Sequence, residues 1–242
     1  MRSMKAFLCC IPFLVSCNNG YDVNRYEEVR NADMVGKMDE SSKREIEQNV
    51  NEFLVWLERN EPEISNSLNE GVSEQEFNDY AAQLELSPQE IEALEPLRIL
   101  YKKANGQKSD EVTSLFHEGY SFISLDDSLA YWKMLLEIYK EGMVKHSGQV
   151  VDGVRLMGWH PKRIPFAQNI AGDALCIDMI PAESGTHGQV IEYIHDDAAT
   201  PLVAKSLGKF LSDIVSDLKS GKRFYDHELG YLRYADEDIN RN

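Results

Sequence analysis

Apolar residues along this chain fall into long stretches at helical spacing and two short runs at strand spacing, and the order of these patterns is the first guide to architecture. Ile46, Val50, Phe53, Leu54 and Leu57 share one helical face behind Ser42-Lys-Arg-Glu45, which has the spacing of a capping box, and Asn60 and Pro62 close the pattern. A second such cap, Ser73-Glu-Gln-Glu76, predicts a helix with Phe77, Tyr80, Ala81 and Leu84 on one side. Ser87-Pro88 opens another, since proline fits a first helical turn. Pro96 then kinks or divides the pattern before Leu97, Leu100, Tyr101 and Ala104, and Asn105-Gly106 is expected to stop it. Ser124 caps a further helix carrying Leu129, Trp132, Leu136, Tyr139 and Met143, an aromatic stripe that reads as core.

The period then changes. Asp173-Ala-Leu-Cys-Ile-Asp178 and Gly188-Gln-Val-Ile-Glu-Tyr-Ile-His195 alternate polar and apolar residues, and Pro181, Gly185 and Gly188 between them supply the turn chemistry of a hairpin. A Trp159-His-Pro entry and an Ile164-Pro-Phe step precede it. Val203, Leu207, Phe210, Leu211, Ile214 and Leu218 mark a last amphipathic helix stopped by Gly221, and a polar segment follows from Asp226. Helices first, strands in the middle and a helix last predict an α+β fold with a mainly antiparallel central sheet and a C-terminal amphipathic helix.

Ahead of these patterns, Arg2 and Lys5 precede the apolar run Ala6 to Val15, too short for an ordinary spanning helix. The run ends at Leu14-Val15-Ser16-Cys17, which resembles the bacterial lipobox. Residues 1–16 are therefore expected to be a lipoprotein signal peptide. Cys17 and a polar tether through residue 40 follow, then an N-terminal helical extension over 41–71, the domain proper over 72–226 and a polar tail over 227–242. Lipidation of Cys17 would anchor the chain to a bacterial membrane in the cell envelope, at the outer membrane facing the periplasm in a Gram-negative host, because two or more acyl chains hold stably where one does not. Cys9 and Cys10 would leave with the signal peptide, so Cys176 would remain as the thiol, with no intramolecular disulfide. Its place between Leu175 and Ile177 suits a small buried hydrophobe better than a nucleophile.

The formal charge of -16 argues against nucleic-acid binding, which needs clustered Lys and Arg, and is compatible with a basic protein partner. Chemistry finds little support. His160, His187 and His195 with Asp173, Asp178, Asp196 and Asp197 lack metal-ligand spacing, and neither Ser184 nor Ser206 sits in a Gly-x-Ser-x-Gly elbow. No Gly-rich phosphate loop joins a strand to a helix. The expectation is a chain without catalytic residues, cofactor, metal or small-molecule substrate; a hydrolase would have to rely on Asp173 or His195. A binding module needs only a rigid scaffold and a matched patch, for which Asp173, Asp178, Glu183, Glu192, Asp196 and Asp197 are the candidates.

Trp159-His-Pro-Lys-Arg-Ile-Pro-Phe-Ala167, Gly172 through Asp178, Pro181, Gly188 through Glu192, His195-Asp196 and Ser206 through Leu211 together resemble the SMI1/KNR4 family of the SUKH superfamily. Ser87 through Ile91 and Leu97 through Gln107 are similar to that family's opening helices, so the resemblance covers roughly Val72 to Asp226. Arg163 stands where many members place an aromatic, and Asn169-Ile-Ala171 replaces a more Gly-rich lead-in. The resemblance implies a single SUKH-like domain acting as a protein-binding module. Bacterial members imply an immunity protein that sequesters a toxin by occlusion; fungal members imply an envelope scaffold or cell-wall assembly regulator.

Overall fold

Asp39 starts the first helix. Its carboxylate accepts hydrogen bonds from the amides of Ser41 and Ser42, both at 2.8 Å, and so satisfies donors a helix start leaves open. Ser42, expected as the cap, already lies inside that helix. The structure is a computed structural model describing residues 38–108, 114–116, 119–143, 146–197 and 199–236. The expected signal peptide, Cys17 and nearly all of the tether lie outside the described residues.

The helices are α1 (Glu40–Asn60), α2 (Pro62–Ser67), α3 (Glu74–Ala81), α4 (Pro88–Ala93), α5 (Glu95–Lys103), α6 (Leu125–Lys140) and α7 (Leu207–Ser220). The strands are β1 (Leu68–Glu70), β2 (Ala104–Gln107), β3 (Ser121–Phe122), β4 (His146–Val151), β5 (Val154–Met157), β6 (Arg163–Gln168), β7 (Ala174–Asp178), β8 (Gln189–Tyr193), β9 (Leu202–Ala204), β10 (Arg223–Asp226) and β11 (Tyr231–Tyr234). Reciprocal capping boxes open α3 at Ser73 and α4 at Ser87, as their spacing predicts. The break between α4 and α5 falls at Leu94, and Pro96 sits in the first turn of α5.

The central sheet has the order β3-β6-β7-β8-β9, antiparallel throughout. The expected hairpin is its middle, with Cys176 opposite Ile191 and Asp178 opposite Gln189. Both faces are covered. Phe166 of β6 meets Phe210 of α7 at 6.1 Å, whereas the Ser128 hydroxyl of α6 donates to the Pro165 carbonyl at 2.6 Å. Pro165 sits in a strand interior because a bulge follows it and its neighbour β3 is only two residues long.

α1, expected as an extension of the domain, is built into its core: Ile46, Val50, Phe53 and Leu57 are buried, and Phe53 stacks on Phe116 at 6.5 Å. Each such side chain contributes about 1.5–3 kcal/mol on burial. All described residues fall within one packed unit.

Four local expectations are corrected. α5 ends at Lys103, so Ala104 is already outside it and Asn105-Gly106 lies in β2 rather than in a helix-ending turn; there the Asn105 side chain accepts from the Leu125 amide at 2.9 Å and steadies the start of α6. Gly106 has φ +72°, and a Cβ there would fall 2.3 Å from the Ser124 nitrogen, so the close approach of β2 to α6 needs glycine. Met143 lies beyond α6 and is exposed, and Val203 belongs to β9 rather than α7. The segment after Asp226 is not merely a polar tail: β11 pairs with β10 in register, burying Leu232 and Arg233.

Candidate functional site

β7 and β8 run antiparallel, so the hairpin has two ends, and the six acidic candidates separate between them. Asp173, Asp196 and Asp197 gather at one end. Asp178 and Glu183 belong to the other, and Glu192 lies near the first end but opens sideways into a groove beside β9.

At the first end the loop between β6 and β7 is locked by its own polar groups. Asn169 Oδ1 accepts from the amides of Ala171 and Asp173 at 3.0 and 2.9 Å, and its Nδ2 donates to Asp173 Oδ2 at 3.0 Å. Gly172 turns at φ +95°, and its carbonyl accepts from the Tyr131 hydroxyl of α6. This turn holds up Ile170, which is fully exposed. A large aliphatic side chain on a rigid loop, beside exposed carboxylates, has the make-up of a contact centre with a polar rim.

The rim is ordered through His195. Its backbone amide and Nδ1 both contact Asp173 Oδ1, at 3.1 and 2.8 Å, and its Nε2 lies 3.3 Å from Asp196 Oδ2. The hydrogen bond to Asp173 raises the imidazole above its ordinary value against desolvation, and the charges of Asp196 and Asp173 add to the rise. Partial burial pulls the Asp173 carboxyl up, but hydrogen bonds from His195 and Asn169 outweigh it and hold the carboxyl below the usual range. The two carboxylates lie on opposite nitrogens of one ring and do not converge. Among the described residues no three His, Cys, Asp or Glu side chains are placed to hold a metal ion.

The signs give a testable pH dependence. The contribution of His195 is fully present below the unfolded imidazole value and lost as pH rises through the raised folded value; that of Asp173 is present above the unfolded carboxylate value and lost as pH falls through its lowered one. A proton-resolved titration is expected to show His195 titrating above a free imidazole, and Asp173→Asn is expected to bring it back down. An unchanged midpoint in that variant would count against the pairing.

The other end is structural. Asp178 leaves the candidate face altogether: it is fully buried, as is Arg163 directly opposite it on β6. Arg163 Nε lies 3.7 Å from Asp178 Oδ1, while its Nη groups donate to the carbonyls of Arg155, Met157 and Gly158 at 2.7, 3.0 and 2.8 Å. Asp178 in turn accepts from the Ile180 amide and the Gln189 side chain. Desolvation lowers the Arg163 value, opposed by Asp178. Glu183 is exposed on the loop beyond, at the end of the hairpin away from Asp173. Glu192 is half-buried and accepts from the Tyr120 hydroxyl at 2.6 Å.

The Trp159-His-Pro entry also serves packing. Trp159 donates to the Arg163 carbonyl, Trp132 donates to the Pro161 carbonyl, and buried His160 accepts from the Lys162 amide while its ring meets Tyr139. Cys176 is fully buried, which pushes its thiol well above the usual value and removes it as a nucleophile. Ile170 is the candidate that periodicity could not find, because a loop tip has no period. The available signal was a large aliphatic residue between Asn and Gly in an otherwise polar turn.

Comparison with known proteins agrees with this fold. The model of the SMI1 / KNR4 family (SUKH-1) matches residues 71–213. The chain is 23% identical over 214 residues to a glucan synthesis regulatory protein of Neurospora crassa, covering 74% of this chain and 39% of that one. It is 35% identical over 74 residues to a cell wall biosynthesis/cell cycle regulator of Schizosaccharomyces pombe, covering 31% of this chain and 15% of the relative. A cell wall assembly regulator of Saccharomyces cerevisiae is 22% identical over 227 residues, with 76% of this chain and 44% of that protein covered. The chain thus spans less than half the length of these curated relatives.

Proposed function

Because the chain belongs to the SMI1/KNR4 family, we propose that it is a protein-binding module whose contact surface is the loop end built around Ile170. The observation that carries this reading is an exposed Ile170 on a hydrogen-bonded turn, flanked by the Asp173, His195, Asp196 and Asp197 cluster. A fixed turn lowers the ordering entropy that binding must overcome, and exposed carboxylates in a chain of charge -16 steer a basic partner. Function by occlusion follows, with no turnover, cofactor or small-molecule substrate.

The leading form of the proposal is an immunity protein that sequesters a toxin, held at the envelope through lipidated Cys17. A second form, a regulator of cell-wall assembly, is favoured by the fungal relatives, which are named for glucan synthesis and cell-wall regulation. Co-expression with a toxin encoded beside the gene separates them. Protection that depends on Ile170 supports the immunity form; an envelope defect on deletion, with no effector to protect against, supports the regulator.

For either partner, Ile170→Asp is expected to weaken binding by about 2 kcal/mol or more, roughly thirtyfold, without changing thermal unfolding. Titration calorimetry with the partner recovered from native membranes would show this. Unaltered affinity in that variant would move the contact surface elsewhere.

A further inference from the structure

The Ile170 turn has α6 as its neighbour. The buried side chains of that helix, Leu125, Ser128, Trp132, Leu135 and Leu136, centre on one face. At about 100° per residue, Tyr131, Met134 and Ile138 then fall together on one flank of it. The Tyr131 hydroxyl donates to the Gly172 carbonyl, which ties this flank to the Ile170 turn. Met134 is 48% exposed, and Tyr131 and Ile138 are half-buried. Past the helix end Met143 is 61% exposed, its amide donating to the Ile138 carbonyl at 3.3 Å. Apolar surface therefore continues from Ile170 along roughly 10 Å of helix between Tyr131 and Ile138.

Charge is sorted around this strip. Asp127 and Glu141, both exposed, lie on the same flank at its two ends, and Asp173 and Asp196 flank the Ile170 turn. The lysines of α6 are on the opposite flank, where Lys133 donates to the Gln83 side chain and Lys140 pairs with Glu137 at 3.5 Å. An apolar strip with a rim of one sign selects a partner of the other sign. Side chains at i, i+3 and i+7 form a ridge against which a helix packs, and a methionine at the centre adapts to its shape. We propose that the strip formed by Ile170, Tyr131, Met134 and Ile138 receives a basic amphipathic helix of the partner protein. The inference rests on the Ile170 turn being the contact surface, and extends that surface along α6.

The test uses the isotope-labelled full chain and a pair of capped helical peptides of about 18 residues, alike in a leucine stripe at i, i+3, i+4 and i+7 and carrying either lysine or glutamate elsewhere. The lysine peptide is expected to bind about tenfold more tightly than the glutamate one, with shifts concentrated at the Met134 methyl and at the amides of Tyr131, Ile138 and Ile170. Met134→Asp is expected to weaken that binding about tenfold while unfolding stays unchanged. This separates the strip from charge alone, because an added carboxylate strengthens a purely electrostatic association with lysine. Equal binding of the two peptides, shifts confined to other residues, or shifts at Met134 produced by anionic phospholipid vesicles and not by the peptide would each overturn the proposal. Weakening by Ile170→Asp without weakening by Met134→Asp overturns the extension along α6 and leaves the Ile170 surface standing; unaltered affinity in both variants overturns the two together.

Discussion

Arg163→Met is expected to lower the stability of the protein by about 3–5 kcal/mol, because it leaves the Asp178 carboxylate buried without its counter-charge. The loss is larger than that of an ion pair alone. The guanidinium also satisfies the carbonyls of Arg155, Met157 and Gly158, so its removal unties the end of the β4–β5 hairpin from the central sheet. Replacing both charges, Arg163→Met with Asp178→Leu, should recover much of the loss, since buried ion pairs often exchange for apolar residues at little net cost. Urea unfolding of the single and double variants, read by linear extrapolation, decides the matter. A double variant no more stable than Arg163→Met would show that the carbonyl contacts, and not the paired charge, carry the effect.

The second large effect is expected at Phe116. Its ring lies 6.5 Å from Phe53 of α1, 6.2 Å from Phe122 of β3, 6.0 Å from Phe166 of β6 and 5.3 Å from Phe210 of α7. One side chain therefore fills the point where the first helix, the last helix and the sheet meet. Phe116→Ala should cost about 3–5 kcal/mol, the range for deleting a fully buried aromatic. The expected signature is cooperative loss of the whole domain, because α1 belongs to the same core. A separate early transition for α1 would instead mark it as the detachable extension that its position before the family match suggests.

The parts of the fold legible in the sequence were those fixed by neighbours in the chain. Ser73 and Ser87 announced α3 and α4 because a capping box closes within four residues, and β7 and β8 announced themselves because alternation and a Pro/Gly loop are local signals. Asp39 and Ser42 are both good cap residues three positions apart, so the sequence alone does not decide between them. The buried Arg163 and Asp178 were not legible as a pair, since two charges become partners only once the β6–β7 register sets them opposite. That register also explains how an arginine is accommodated in a strand whose residues from 163 to 167 are all buried. The hairpin β10–β11 had a readable signal, Arg223-Phe-Tyr and Tyr231-Leu-Arg-Tyr234 around Gly230, hidden by the charged residues between.

The six acidic candidates do not share one surface. Asp173, Asp196 and Asp197 gather at one end of the hairpin, whereas Asp178 is internal and Glu192 and Glu183 face elsewhere. Charge alone carries no direction; strand parity and loop geometry supply it.

The turn beneath Ile170 is fastened by Asn169, Gly172 and Asp173, leaving the Ile170 and Ala171 side chains exposed. Those two positions are therefore a replaceable cassette. Substituting either one should leave the unfolding temperature unchanged, so a library randomised at those two adjacent codons should fold almost without loss.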